Sequence, residues 1–352
     1  MTGKTQDFTE NPGLSPHLIA NAFGQALESA YQFVGSSVPN PPVGCTILDA
    51  QGNRLAVCAH QKAGQKHAEA LAIEQCQKNG TMERIHTMLV TLEPCNHYGR
   101  TPACTKAILT TPAREIWIGA RDPNPNVFGN GAKTLADGGL RVKFIANLDD
   151  DDADALAFSA KRLIAPFAKH VRTAMPWVTI KQAINRAGGM IPEPGQKTFT
   201  SPSSLIYAHR LRKRADAILT GSGTILADNP RFDVRHVADF AEKRRFLVIM
   251  DRTKRVGEPY LQAAAELGFD VWVESEIEVA LKKLGQAGAH EVLVEAGPSL
   301  VASILPTDLW DEHITIEQGP GLADKDVVST RYASFMDRQF QAKGEPDVLG
   351  NY

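Results

Sequence analysis

The sequence predicts an α/β protein built as two domains. Three observations carry this. Apolar residues switch between a strand period of two and a helix period of 3.6 along most of the chain. Strand and helix patterns alternate in both halves, which favours sheets covered by helices. The 352 residues suffice for two domains of ordinary size, and all five cysteines precede residue 105, so the halves differ in composition.

The elements follow in order. Residues 1–15 lack the apolar stretch of a signal peptide and read as a mobile tail ending at the helix cap Ser15-Pro16. Leu18, Ile19, Ala22, Phe23, Ala26, Leu27 and Ala30 fall at helical spacing and predict an amphipathic helix within 16–34. Strand patterns follow at 43–49, 54–58, 87–92, 115–119 and 142–146, with helices over 67–78 and from about Cys104. These make a first domain of 16–150. The acidic run Asp149 to Asp154 reads as a solvated face. Residues 153–168 predict a helix inside a 151–174 linker, with the domain boundary near Arg172 to Met175.

The second domain, 175–352, carries strand patterns at 177–183, 216–220, 246–250, 269–273, 291–295 and 312–317. Helical patterns at 202–214, 259–268, 276–286 and 298–305 lie between them, so a largely parallel sheet is expected. No G-x-G-x-x-G follows its first strand, which excludes the Rossmann fingerprint.

Composition narrows the function. Apolar residues make up 43% and charged residues 22%, as in a soluble globular protein. No apolar run reaches eighteen residues, so no membrane helix is expected. The net charge of −2 is spread over interspersed charges, which argues against nucleic acid as a partner. An odd number of cysteines confined to one half suits the reducing cytoplasm and metal binding rather than a disulfide framework.

The chemistry concentrates in His67-Ala68-Glu69 and in TLEPCNHYGRTPAC, residues 91–104. His67, Cys95 and Cys104 form a three-ligand zinc set, which leaves a fourth tetrahedral position open for water. Zinc lowers the pKa of such a water to about 7. Glu69, two residues past the histidine, is placed to shuttle protons as the general acid/base, as in the H-x-E…P-C-x-x-C deaminases. A closed structural site would need a fourth ligand, for which Cys45, Cys58, Cys76 and His97 are the spare candidates. The first three sit in strand or helix patterns and read as buried thiols. A disulfide between Cys95 and Cys104 is the other alternative.

Eight residues separate Cys95 from Cys104, against two in the usual motif. The inserted His97 to Thr101 can reach over the pocket. This loop resembles that of the pyrimidine deaminases of riboflavin biosynthesis, in which P-C-x-H-x-G-R-T-P-x-C is distinguishing. The resemblance extends to Pro39-Asn40-Pro41-Pro42-Val43-Gly44-Cys45 and to Arg121-Asp122-Pro123-Asn124-Pro125-Asn126. It implies a cytidine-deaminase-like α/β/α domain, with Asn40, His97 and Arg100 contacting the substrate.

The second half is similar to the reductase domain of the bifunctional deaminase/reductases of that pathway, a dihydrofolate-reductase-like α/β fold that uses NADPH. The matching pieces are Arg172-Thr173, Pro176, Lys181, Thr200-Ser201-Pro202, His209-Arg210-Leu211-Arg212, Asp216 to Leu219, Thr224, Asp228, Pro230, Arg235 and Val294 to Gly297. The resemblance implies that Ala183, Thr224 and Asp228 line the cofactor and that Gly297, Pro298 and Ser299 cradle its phosphates. It assigns the substrate's ribose phosphate to Arg212 and Arg235, and a place near the transferred hydride to Glu295. Arg212 also lies in a basic stretch that would suit a helix face turned to water.

The implied activity is hydrolytic deamination of a diamino-ribosylaminopyrimidinone 5′-phosphate, followed by NADPH-dependent reduction of its ribosyl chain to ribityl. Its partners are small pyrimidine ribose phosphates, and family members form homo-oligomers. Three positions depart from the family pattern: Lys66 stands for Pro, Ala187 for Asp and Thr198 for Trp. The missing aromatic at Thr198 predicts weaker NADPH binding, and Ala187 with Thr198 leaves a monofunctional deaminase as the alternative. A nucleic-acid deaminase and a non-catalytic zinc-stabilised module are the remaining rivals. The first lacks a basic groove and the short cysteine spacing, and the second has no use for Glu69.

Overall fold

The computed structural model describes residues 13–96, 103–124, 130–192, 195, 198–320 and 325–333. Residues 1–12 of the expected tail lie outside them, as do His97 and Arg100. The described residues fall into two compact units. One holds the chain up to Ala30 with Val43–His60 and Lys66–Lys161; the other holds Tyr31–Pro42, Gln61–Gln65 and the chain from Arg162.

The N-terminal half runs α1 (Pro16–Tyr31), β1 (Gly44–Leu48), β2 (Arg54–Ala59), α2 (Ala68–Lys78), β3 (Thr87–Leu92), α3 (Cys104–Leu109), β4 (Glu115–Ala120), α4 (Asn130–Asp137), β5 (Arg141–Phe144) and α5 (Ala153–Thr173). Ser15 caps α1, its Oγ accepting the Leu18 N–H at 3.4 Å. The sheet order is β2-β1-β3-β4-β5. β1 is antiparallel to both neighbours, and β3, β4 and β5 are parallel. Every residue of β3 and β4 is buried, the polar Thr87, Thr91 and Glu115 included.

Ala68, Ala72, Cys76, Ile108 and Leu135 from α2, α3 and α4 pack with Cys45, Val90, Ile116 and Ile118 of the sheet. At Gly119 of β4, a Cβ would stand 2.6 Å from the Phe23 ring and 2.8 Å from Ala160. Only glycine lets α1 and the start of α5 approach the strand so closely.

The C-terminal half continues with β6 (Trp177–Ile184), α6 (Pro202–Arg214), β7 (Ala217–Gly221), α7 (Ser222–Asp228), β8 (Arg245–Met250), α8 (Glu258–Glu266), β9 (Phe269–Glu274), α9 (Ile277–Gln286), β10 (Glu291–Val294), α10 (Pro298–Ile304), β11 (Glu312–Glu317) and β12 (Val327–Tyr332). The order is β12-β11-β6-β10-β7-β8-β9, all parallel except β12. Alternation divides the core: Ala217 and Leu219 join Leu281, Leu284 and Val301 on one face, while Ile218 packs with Ile225, Phe232 and Ala264 on the other.

The amino ends of the parallel strands carry a buried charge cluster. Glu312 accepts from Arg162 at 3.1 and 2.5 Å, from Arg214 at 2.8 Å and from the Thr179 hydroxyl at 2.7 Å. Arg214 also pairs with Glu291 at 2.8 Å. Burial would raise the Glu312 carboxyl, but Arg162 and Arg214 outweigh it and hold the group at about 2.

Three elements have no counterpart in the sequence reading. Of α4, Gly131, Ala132 and Leu135 are buried, too few to set a pattern. α7 begins at Ser-Gly, which reads as a turn. β12 alternates exposed and half-buried residues at a sheet edge.

Candidate active site

His67 is the N-cap of α2, with extended backbone angles that turn its ring off the helix axis. Cys104 opens α3, and Cys95 lies in the loop after β3. The His67 Nδ1 stands 3.6 Å from the Cys95 sulfur and 3.3 Å from that of Cys104. The three ligand atoms lie within 4.8 Å of one another. Zn–S and Zn–N bonds of ordinary length at a tetrahedral angle put sulfur and nitrogen about 3.5 Å apart. The triad therefore fits zinc as it stands, and all five cysteines are free of disulfides.

Local bonds explain why the triad assembles. The Cys104 N–H points at the Cys95 sulfur at 3.4 Å, and the Thr105 N–H donates to the Cys95 carbonyl at 3.2 Å. The start of α3 is thus wrapped around Cys95. The Cys104 thiol and His67 beside it hold Cys95 well below the usual thiol range, and the hydrogen bond to Cys95 pushes Cys104 up.

Glu69, in the first turn of α2, is 3% exposed. Burial pushes its carboxyl up, partly countered by the His67 ring. A carboxyl so placed exchanges a proton more readily near neutral pH than an exposed one.

The surrounding groups were not singled out by the sequence reading. Glu93, also 3% exposed, accepts the Ala132 N–H at 2.9 Å and the Asp122 N–H at 3.3 Å. It ties the cysteine loop to α4 and to the segment after β4. Gly131 closes the same contact, because a Cβ there would meet the Pro94 carbonyl at 2.1 Å. Asn96 accepts from the Thr105 hydroxyl and donates to Thr134, both at 2.8 Å. An acid two residues before a predicted ligand was the available signal for Glu93. Lys66 turns its side chain outward to Glu74 at 2.9 Å, so the loss of proline there leaves the His67 cap intact. Asn40 lies in the 31–42 segment, its N–H donating to the Ser37 carbonyl at 2.9 Å.

Of the other spare thiols, Cys45 and Cys76 are fully buried. Cys58 is half-buried and donates to Gln75 at 3.1 Å.

In the other unit, β6, β10 and β7 are neighbours, and their carboxyl ends bring Ala183, Gly297 and Thr224 to one edge, where open α/β sheets take ligands. The Gly297 N–H donates to the Thr224 hydroxyl at 2.9 Å. Pro298 has no N–H, so the cradle's remaining donors begin at Ser299. Pro298, Ser299 and Asp228 are exposed and open to a cofactor, and no atom lies within 4 Å of a Cβ built at Gly223. This edge fits an NADPH phosphate.

Arg212 does not face water. It grips Glu295 through two bonds of 2.7 Å each and reaches the Asp233 carbonyl at 3.3 Å. Lys181 stands 3.7 Å from Glu295. Burial would raise Glu295, but Arg212 and then Lys181 hold it at about 2. Arg235 pairs with Asp233 and keeps about half of its side chain exposed, at 48%. Ala187 and Thr198 are both exposed; the turn at Ala187 is closed by Asn185, which accepts the Ala187 and Gly189 N–H groups at 3.0 and 2.8 Å.

Known proteins match both halves. Residues 19–120 match the cytidine and deoxycytidylate deaminase zinc-binding region, and residues 176–317 match the RibD C-terminal domain. The riboflavin biosynthesis protein RibD of Aquifex aeolicus is 30% identical over 313 residues, covering 82% of this chain and 83% of that protein. That of Mycobacterium tuberculosis strain H37Rv is 30% identical over 341 residues, covering 94% and 96%. Among solved structures, a diaminohydroxyphosphoribosylaminopyrimidine deaminase/5-amino-6-(5-phosphoribosylamino)uracil reductase from Thermotoga maritima superposes with a TM-score of 0.73 at 27% identity, covering 90% of this chain and 99% of that one. Acinetobacter baumannii RibD gives 0.68 at 28% identity, covering 88% and 90%.

Fold and site thus define a zinc-binding deaminase domain joined in one chain to an NADPH-dependent reductase domain. The chain belongs to the RibD family of riboflavin biosynthesis proteins, bifunctional enzymes that deaminate and then reduce. No helix among the described residues is long and apolar enough to cross a membrane.

Proposed function

We propose that the chain deaminates 2,5-diamino-6-ribosylamino-4-pyrimidinone 5′-phosphate and then reduces the ribosyl group of the product to ribityl. The observation that carries this is the His67, Cys95 and Cys104 triad with Glu69 buried beside it, in one chain with the Gly297 edge. We assign the deaminase to residues 16–150 and the reductase to 175–352, joined by 151–174; the matched segments 19–120 and 176–317 support this.

His67, Cys95 and Cys104 would hold zinc, which supplies the Lewis acidity that makes water nucleophilic at neutral pH. Glu69 takes the proton from that water and returns it to the leaving amine, so ammonia departs neutral. Asn40, His97 and Arg100 orient the pyrimidine. At the second site Ala183, Thr224, Asp228, Gly297, Pro298 and Ser299 would hold NADPH, the source of reducing equivalents. Arg235 meets the substrate's phosphate, because guanidinium groups match its geometry, while Arg212, expected there as well, is taken up by Glu295. Glu295, held ionised by Arg212, lies near the reacting carbon. The free cysteines support a cytoplasmic setting, and self-association follows from the family resemblance.

The test follows ammonia release and NADPH oxidation separately. Zinc-loaded protein is expected to give both signals. Chelator-treated protein should lose ammonia release and still oxidise NADPH when given the deaminated intermediate. Ammonia without NADPH oxidation would confine the activity to the first domain. Absence of both signals would overturn the substrate assignment.

A further inference from the structure

We propose that His209 is a positioning residue for Arg235, holding the 231–236 loop so that the guanidinium meets the substrate's phosphate. The proposal rests on the phosphate-binding reading of Arg235 given above.

His209 lies on α6 and is fully buried. Its Nδ1 accepts the backbone N–H of Arg235 at 3.1 Å. The next residue, His236, packs edge-on against the His209 ring, with centroids 4.5 Å apart and planes at 72°. Arg212 sits three residues further along α6 and so shares its face. That side chain grips Glu295 and, through Nη1, the Asp233 carbonyl at 3.3 Å. One face of α6 therefore holds the loop at 233, 235 and 236, while the Arg235 side chain projects toward solvent.

The tautomer argues against a purely structural role. Because Nδ1 accepts, the proton sits on Nε2, which has no hydrogen-bond partner among the described residues. A phenylalanine or leucine would fill the space without burying an unpaired donor. What histidine alone contributes over those residues is the acceptor at Nδ1. Burial, with Arg212 and Arg235 nearby, pushes the ring's pKa down to about 4. The Nδ1 lone pair is thus available at neutral pH.

The experiment uses the full chain. Reductase kinetics on the deaminated intermediate and the Kd of ribose 5-phosphate by calorimetry are measured for wild type, His209→Phe, His209→Asn, Arg235→Ala and the double variant Arg235→Ala/His209→Phe. Ammonia release monitors the other domain, and His209→Leu replaces His209→Phe should the latter fail to fold. His209→Phe is expected to raise both KM and the ribose 5-phosphate Kd about tenfold, with kcat within about twofold. Asparagine, whose amide oxygen can accept at the Nδ1 position, should restore most of the loss. The double variant should match Arg235→Ala alone, since His209 acts through that residue. An unchanged Kd in His209→Phe beside a raised one in Arg235→Ala overturns the proposal and leaves the Arg235 reading standing. An additive double variant also overturns it. An unchanged Kd in Arg235→Ala overturns the phosphate reading and the proposal together.

Discussion

Glu69→Gln is expected to slow ammonia release roughly a thousandfold, within the range that a positioned general acid/base contributes. Glutamine keeps the size of the side chain and its hydrogen-bonding capacity, but it cannot carry a proton. Because Glu69 lies off the triad formed by His67, Cys95 and Cys104, bound metal per chain should be unchanged by elemental analysis. NADPH oxidation with the deaminated intermediate should also persist. The expected rate loss therefore isolates proton transfer from metal binding and from folding. A variant that retains its metal and stays within tenfold of wild type would remove Glu69 from the role.

The second large effect is on stability. Arg162→Met leaves the buried Glu312 paired with Arg214, and it removes both Arg162 bonds, of 3.1 and 2.5 Å. Breaking a buried pair from one side costs about 3–5 kcal/mol, because the partner's charge stays buried. For a unit of this size that corresponds to a loss of about 10 °C in Tm. Replacing Glu312 by leucine in the same chain should recover part of the loss, since the uncompensated charge is then gone. A single variant that melts within two or three degrees of wild type would show that water reaches the cluster.

The same carboxylate sets an acid limit. Glu312 titrates at about 2 in the folded chain, well below the ordinary carboxylate value, and Glu295 does the same. A depressed folded-state value means that the pairing stabilises the fold above the unfolded pKa. The contribution drains away as pH falls from about 4.5 toward 2. Thermal melts by circular dichroism at pH 7, 5, 4 and 3 should show stability falling across that interval. The slope should be shallower in Arg162→Met, where Glu312 is held less firmly. Equal slopes would assign the acid sensitivity to other groups.

Much of the fold was legible because local patterns agreed with the global one. β3 and β4 are mostly apolar and wholly buried, and the strand patterns at 87–92 and 115–119 match them. The helical pattern at 202–214 matches α6, which Ser201 caps, its hydroxyl accepting the Ser204 N–H at 3.3 Å. α7 has no counterpart among the expected helices because its opening Ser-Gly favours turns in isolation. There, burial of Ile225 in the core overrides propensity. β12 has no counterpart in the sequence reading because its two faces carry similar residues, Val327 beside Val328 and Ser329 beside Thr330, so hydrophobicity does not alternate although exposure does.

The sequence by itself determined the metal chemistry. His67, Glu69, Cys95 and Cys104 are defined by residue type and by order around two helix starts, while their meeting follows from packing α2 and α3 on the sheet. The tertiary structure alone decided how the charges are paired. Arg212 and Glu295 are 83 residues apart, and Arg162 and Glu312 are 150 apart. Whether such a side chain faces water, a phosphate or a buried carboxylate depends on which strand ends the sheet order brings together. No local pattern carries that information: a charge that a burial site neutralises looks the same in sequence as one that solvent screens.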